Sequence, residues 1–373
     1  MHFVAGVLIP FFIDWGGITY SRVMLLQSYF VLAAFALEVP TGAVADTISR
    51  RASLLLSGAV TAGAVVVYTS TPHLAAFVLG ETLWAAGHAL ASGASEALVY
   101  DSLRASGREG ESKKVFGRFG SMDLLALMVS APIGGLVASE WGLRAAMLSM
   151  AAPFSLACIV AAMLEEPPAR GSESATSYAE TLKSGISYFR GHAALRALAF
   201  DYVSVGPFVF FVIWLYQPLL SALNVPIAYF GFVHAGMCAA QIAVMNRFEA
   251  IERLIGSKKR LVTFSSIIPS CTFLALGSMP SPPIAVAMLL LCSGFGLTRH
   301  TLFLSYFNKH IPSDVRATVL STMSMLYLLI SGLLYPVMGY LVEWSLQRTF
   351  LIVGAAILVL TVFSKAEEAH LLD

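Results

Sequence analysis

The chain has 373 residues, of which 57% are hydrophobic and only 12% charged, with a mean hydropathy of +0.77. That is about half the charge of an ordinary soluble domain, which excludes a soluble enzyme and points to a membrane protein. The net charge of +1 carries no signal for nucleic acid, and Cys158, Cys238, Cys271 and Cys292 all fall in apolar runs without metal-ligand spacing, which argues against a disulfide framework or a zinc site.

A helix needs about 20 apolar residues to cross the hydrocarbon. In chain order, candidate spans begin near His2, Ser21, Ala52, His73, Phe119 and Leu143, and then near Ala194, Ala228, Leu261, Ile284, Val315 and Leu346. The expected fold is therefore an all-α polytopic membrane protein with twelve transmembrane helices, and the alternating ten-residue segments of an outer-membrane barrel are absent. The first run is odd: the residues before Asp14 make a helix of only about 20 Å. It lacks the basic region and cleavage site of a signal peptide. The first helix is thus expected to continue past Asp14, or the true start to lie further upstream.

Charge placement sets the orientation. If the first span starts in the cytoplasm, the odd-numbered loops hold only Arg22, Arg144 and Arg348, and Arg299 alone lies inside a span. Every other lysine and arginine of the 23 falls in an even-numbered loop or in the tail. That asymmetry follows the positive-inside rule and puts both termini in the cytoplasm. Trp15, Tyr20, Tyr100, Trp141, Tyr229 and Trp344 sit at span ends, where amphipathic rings favour the headgroup region.

The middle of the chain reads as a linker. Glu165 to Ser174 is polar and rich in breakers. After it, Tyr178, Leu182, Gly185, Ile186 and Phe189 recur at helical spacing opposite Thr181, Lys183, Ser187 and Arg190, the pattern of an amphipathic helix lying on the cytoplasmic face. The expected organisation is residues 1–164 as one six-helix half, 165–193 as linker, and 194–373 as a second half. A weak internal repeat agrees: Tyr100-Asp101-Ser102-Leu103 with Arg118 after span four, and Tyr306-Phe307-Asn308 with Asp314 and Arg316 after span ten.

Between spans two and three, Gly42, Asp46, Arg50 and Arg51 stand in the register G-x-L-A-D-x-x-G-R-R, with Val44 in place of leucine and Ser49 in place of the second glycine. This loop resembles the corresponding loop of the major facilitator superfamily of secondary transporters, and the segment Ile311 to Ser321 is similar to its second-half counterpart. The resemblance covers essentially the whole chain. It implies two pseudo-symmetric six-helix halves, a cavity bordered by spans one, four, seven and ten, and substrate binding near the midplane. It also implies that Gly42, Asp46, Arg50 and Arg51 form a cytoplasmic latch, with Asp101, Arg118, Glu96 and, in the second half, Arg316 as expected participants. The alternative is that the arginines only fix topology.

Charges inside spans carry the next argument, since each costs at least about 2.5–3.5 kcal/mol on insertion scales. Span four places Glu81, His88, Ser92 and Ser95 on one helical face, with His88 about 21 Å from the start of the span. His88 is a candidate proton or substrate site, or else a neutral donor to a neighbouring helix. Glu81 lies nearer the outer face, where it either snorkels or faces the cavity. Arg299, next to His300, and Asp201 are expected to pair, either permanently or until an anionic substrate or a proton intervenes. Asp123, His234, Gln241 and Glu38 are lesser candidates.

Two features depart from the family's proton-coupled drug antiporters. Their fourth helix carries an arginine four residues before a glycine, where this chain has Leu83 before Gly87. Their fifth carries a glycine-rich GP-x-x-GG element, where this chain has Ala131-Pro132-Ile133-Gly134-Gly135. The resemblance still favours a proton-coupled exporter of small amphiphiles or drugs, working as a monomer without a cofactor. An importer or facilitator of a small solute or organic anion, and a membrane sensor built on a transporter fold, are the alternatives. No P-loop, HExxH or GxSxG motif indicates an enzyme or ATP coupling.

Overall fold

The computed structural model describes residues 2–166, 186–189, 191–312 and 315–371, with the side chains of residues 39, 42–47, 113 and 317 outside the description. Every regular element among these residues is helical. Among the described residues, nine helices are long and apolar enough to cross a membrane, Tyr20–Glu38, Arg50–Ser70, Leu74–Ala105, Glu109–Trp141, Leu143–Met163, Ala193–Ala222, Ile227–Met245, Pro282–His310 and Thr318–Trp344. Helix Lys258–Leu276, which opens on three basic residues, the shorter apolar helix Leu346–Val362 and the helical turns at the N-terminus make up the twelve segments expected from the hydropathy pattern. This is a helical polytopic fold. Its surface is correspondingly apolar, with Leu32, Leu156, Ile159, Leu333 and Val362 all more than half exposed, an arrangement that bilayer rather than water must cover.

The first segment differs from expectation. Its turns, Phe3–Gly6, Leu8–Pro10 and Phe11–Trp15, stop one residue past Asp14. The reason is local: Gly16 and Gly17 follow, and Gly17 adopts φ +64°, a left-handed conformation that ends a right-handed helix. Other helix ends are set by capping. Ser49, Ser257 and Ser345 accept the backbone N–H three residues on, at 2.9, 3.2 and 3.3 Å, and start spans three, nine and twelve. Ser49 therefore has a structural use at the position where the family pattern carries glycine.

The chain forms two compact units, Met1–Ser177 with Ile227–Phe232, and Tyr178–Pro226 with Val233–Asp373. Within the first, spans three and four are fastened by two serine hydroxyls. Ser53 donates to the Leu90 carbonyl at 2.7 Å and Ser57 to the Gly87 carbonyl at 2.6 Å, while the absent side chain of Gly87 leaves room for Thr61. Gly58 meets the backbone of Cys158 on span six. The second unit repeats this pairing of its third and sixth helices, where Ser270 donates to the Gly354 carbonyl at 2.8 Å. Small residues that let helix backbones touch are the usual means of association without a hydrophobic drive.

The 131–135 element has a packing role. Gly134 lies so close to Phe3 that an added methyl would overlap the Phe3 carbonyl oxygen, and Gly231 stands in the same relation to Ala131. Gly6 faces Gly231, its missing Cβ only 2.8 Å from the Gly231 Cα. Because the clash is with backbone, no side-chain rotation relieves it. Gly134→Ala is expected to destabilise by about 1–3 kcal/mol, seen as a lower melting temperature in detergent, whereas Gly63→Ala, at a position with open space around it, leaves the melt unchanged.

Candidate functional site

In the first unit the charged centre is Glu81, two turns into the helix Leu74–Ala105 and only 4% exposed. Its Oε1 accepts a hydrogen bond from Gln27 Nε2 at 3.0 Å, and the Tyr68 hydroxyl also bonds the carboxyl. No lysine or arginine lies within ion-pair distance among the described residues. Its partner Tyr68 belongs to an aromatic cluster. Tyr68 packs on Trp84, Phe77 and Phe12 at centroid separations of 6.2, 6.4 and 5.9 Å, and Trp84 packs edge-on against Phe154 at 5.3 Å.

The other polar residues of span four do not join this centre. His88 is exposed, with its ring 5.8 Å from that of Phe30, and Ser92 is half-buried with its carbonyl accepting from Ser95 within the same helix. All four share a helical stripe, yet the stripe runs past different neighbours at different depths. A common face is not a common site. Asp123 is exposed on span five.

In the second unit, Asp201 and Arg299 come together as the sequence predicts. Arg299 Nη2 lies 3.6 Å from Asp201 Oδ2, and both side chains are 2% exposed. Arg299 is also held by Ser265 and Ser266 Oγ, each at 2.7 Å, by the Val262 carbonyl at 3.1 Å, and by the face of Phe303 at 4.5 Å. Asp201 Oδ2 accepts from Ser364 Oγ at 2.8 Å, a partner that no local pattern announces. Among the described residues, Asp201 Oδ1 and Arg299 Nε have no hydrogen-bond partner. His300 is exposed and bonds the buried Tyr202 hydroxyl at 2.6 Å.

His234, 7% exposed, sits apart from the ion pair. Its Nδ1 is 3.2 Å from the Tyr216 hydroxyl, which also accepts from Gln217 Nε2 at 3.2 Å. Gln241 donates to the Met237 carbonyl of its own helix.

Two of the residues expected in the latch, Arg50 and Asp101, come together. Arg50 Nη1 bonds Asp101 Oδ2 and the Ala97 carbonyl, the latter at 3.0 Å, and its backbone N–H donates to Glu166 Oε1 at 2.7 Å. Arg51 Nη2 donates to the Ala162 carbonyl of span six. Arg118 and Glu96 are exposed, and Arg316 donates to the Ile311 carbonyl in its own loop at 3.1 Å. Gly42 and the Asp46 side chain lie outside the described residues, as does most of the expected linker helix, of which residues 186–189 are helical and Phe189 is buried. Glu166 and Gln27 are partners that the sequence reading missed.

A sequence profile described as Major Facilitator Superfamily matches residues 1–336. The chain belongs to that superfamily of secondary transporters, and so to the transporters rather than the enzymes. No curated protein matches the sequence. Among solved structures, a variant of the nucleoside transporter NupG superposes with a TM-score of 0.79 at 14% identity, covering 98% of this chain and 95% of that one. A POT family transporter in complex with 5-aminolevulinic acid gives 0.76 at 12% identity, covering 100% and 93%. At these identities the likeness shows a shared fold.

Two outcomes are expected. Arg299→Met strands a buried carboxylate and should cost about 3–5 kcal/mol, whereas Asp201→Asn combined with Arg299→Met recovers much of the loss in the same thermal unfolding assay. Asp101→Asn breaks a pair whose side chains are 29% and 38% exposed, so its effect on stability should stay below about 1 kcal/mol. If the pair serves as a latch, that variant inserts normally and its transport turnover drops severalfold.

Proposed function

We propose that the protein is a proton-coupled exporter of small amphiphilic molecules, with lipophilic cations as the best-fitting class, and that Glu81 is the group over which proton and substrate compete. The supporting observation is the setting of this one carboxyl, 4% exposed, with no lysine or arginine in ion-pair distance among the described residues and with its partner Tyr68 packed in an aromatic cluster with Trp84 and Phe77. A carboxylate at this depth needs compensation whenever it is charged. A proton supplies it, and so does an organic cation, which also gains from the aromatic faces. The two occupants exclude each other, which is what antiport requires. Alternating access, with the basic loops and both termini in the cytoplasm of a bacterial inner membrane, completes the reading.

A second reading is an importer or facilitator of a polar solute. The buried Tyr216, Gln217 and His234 group offers donors and acceptors of the kind a nucleoside or a peptide would use. The solved neighbours include a nucleoside transporter and a POT family transporter.

Purified protein in liposomes under an imposed pH gradient separates the two, with tetraphenylphosphonium and ethidium as cationic probes and uridine and glycylsarcosine as polar ones. The expected result is proton-driven flux of the cations that falls at least tenfold in Glu81→Gln, a substitution that keeps the hydrogen bonding and removes the charge. Uridine or dipeptide uptake without cation flux would replace the export reading with the second one. Cation flux indifferent to the pH gradient would remove the proton coupling.

A further inference from the structure

The last described residues of the chain are built into the second unit. Ala366 and Leu371 are 3% and 0% exposed, packed in one cluster with Leu195, Leu198, Phe303 and Phe307. Glu368 closes the start of helix Lys258–Leu276: its carboxylate accepts from Ser257 Oγ at 2.5 Å and from the Lys258 and Lys259 backbone N–H at 2.8 and 2.9 Å. Those bonds, the Ser257 hydroxyl foremost, hold the Glu368 carboxyl below the usual glutamate range. His310 Nε2 meets the His370 carbonyl at 2.7 Å. Ahead of these contacts, Ser364 reaches the buried Asp201 carboxylate at 2.8 Å.

This segment is fastened at its far end by polar contacts at the rim and by the buried Leu371, and at its near end by Ala366 and a hydroxyl on the ion pair. We propose that residues 364–371 form a releasable strap over the basic-loop end of the second unit, with Ser364 as a positioning residue that turns the Asp201 carboxylate toward Arg299. Three features make release feasible. The strap has one short turn of 3-10 helix, Glu368–His370, and no long helix to hold it. Its outer anchors are hydrogen bonds that water can replace. The pair beneath it is incompletely satisfied, since Asp201 Oδ1 and Arg299 Nε have no partner while the strap is closed, so water admitted on release gains hydrogen bonds there. Lifting the strap removes the Ser364 bond and opens the ion pair to the aqueous side in one motion.

The inference rests on the transporter class and on the proton coupling proposed above, not on export or on Glu81, and the arms that compare Ser364 and Glu368 variants without a gradient do not depend on that coupling. Its test therefore needs no substrate. Ala366→Cys, in protein whose four native cysteines are replaced by serine, is reconstituted and labelled with a charged, membrane-impermeant maleimide. Labelling of the otherwise intact strap should be slow at rest and at least about tenfold faster under an imposed proton gradient. Adding Glu368→Ala or Ser364→Ala should give fast labelling without a gradient, and Ser364→Thr, which keeps the hydroxyl, should restore the slow rate. Hydrogen exchange at the Lys258 and Lys259 amides of the unsubstituted protein gives the same readout should the cysteine variant fold poorly. A labelling or exchange rate that the gradient leaves unchanged overturns release. Equal rates in Ser364→Ala and Ser364→Thr overturn the positioning role.

Discussion

The absence of water from the hydrocarbon is the constraint on which the rest of this structure depends. A backbone carbonyl or a hydroxyl without a partner there costs several kcal/mol. The hydroxyls of Thr61, Thr69, Thr82, Ser102, Thr322 and Ser331 accordingly bond back to carbonyls one turn earlier on their own helices. The exceptions carry the architecture: Ser53, Ser57, Ser270 and Ser293 bond across to another helix, and each marks a place where two helices run close. Helix association and polar satisfaction are here one process.

The same constraint separates the two charged centres. In the second unit two opposite charges meet, and two serines, a carbonyl and an aromatic face attend the cation. Mutual compensation makes that centre tolerable at rest. In the first unit Glu81 has, among the described residues, neutral partners only, Gln27 and Tyr68. One centre is internally balanced and the other holds a buried carboxyl with no counter-charge among the described residues, a difference in kind that composition does not reveal.

The spans were legible because their signal is local: length and hydropathy alone located all twelve segments, and the Asp201 to Arg299 pair followed from charges too costly to leave alone. The short first segment was not, because its end is set by the left-handed Gly17 rather than by the apolar count. Partners were legible only in part. Gln27 and Glu81 are 54 positions apart, Arg50 and Glu166 are 116, and Asp201 and Ser364 are 163, and nothing in the neighbourhood of either member points to the other. The stripe of Glu81, His88 and Ser92 shows the opposite failure. Periodicity placed the residues on one face, but only the packing of neighbouring helices determines which depth is buried.

The hairpin of spans three and four also constrains what its terminal ion pair can do. Arg50 opens the first of these helices and Asp101 lies near the close of the second, so both stand at the open mouth of a hairpin whose shanks are already stitched by Ser53 and Ser57. A bond between the two tips of one stiff fork cannot by itself bolt the fork to anything else. Its loss would first appear as fraying of the mouth, with the tines still moving as a single lever.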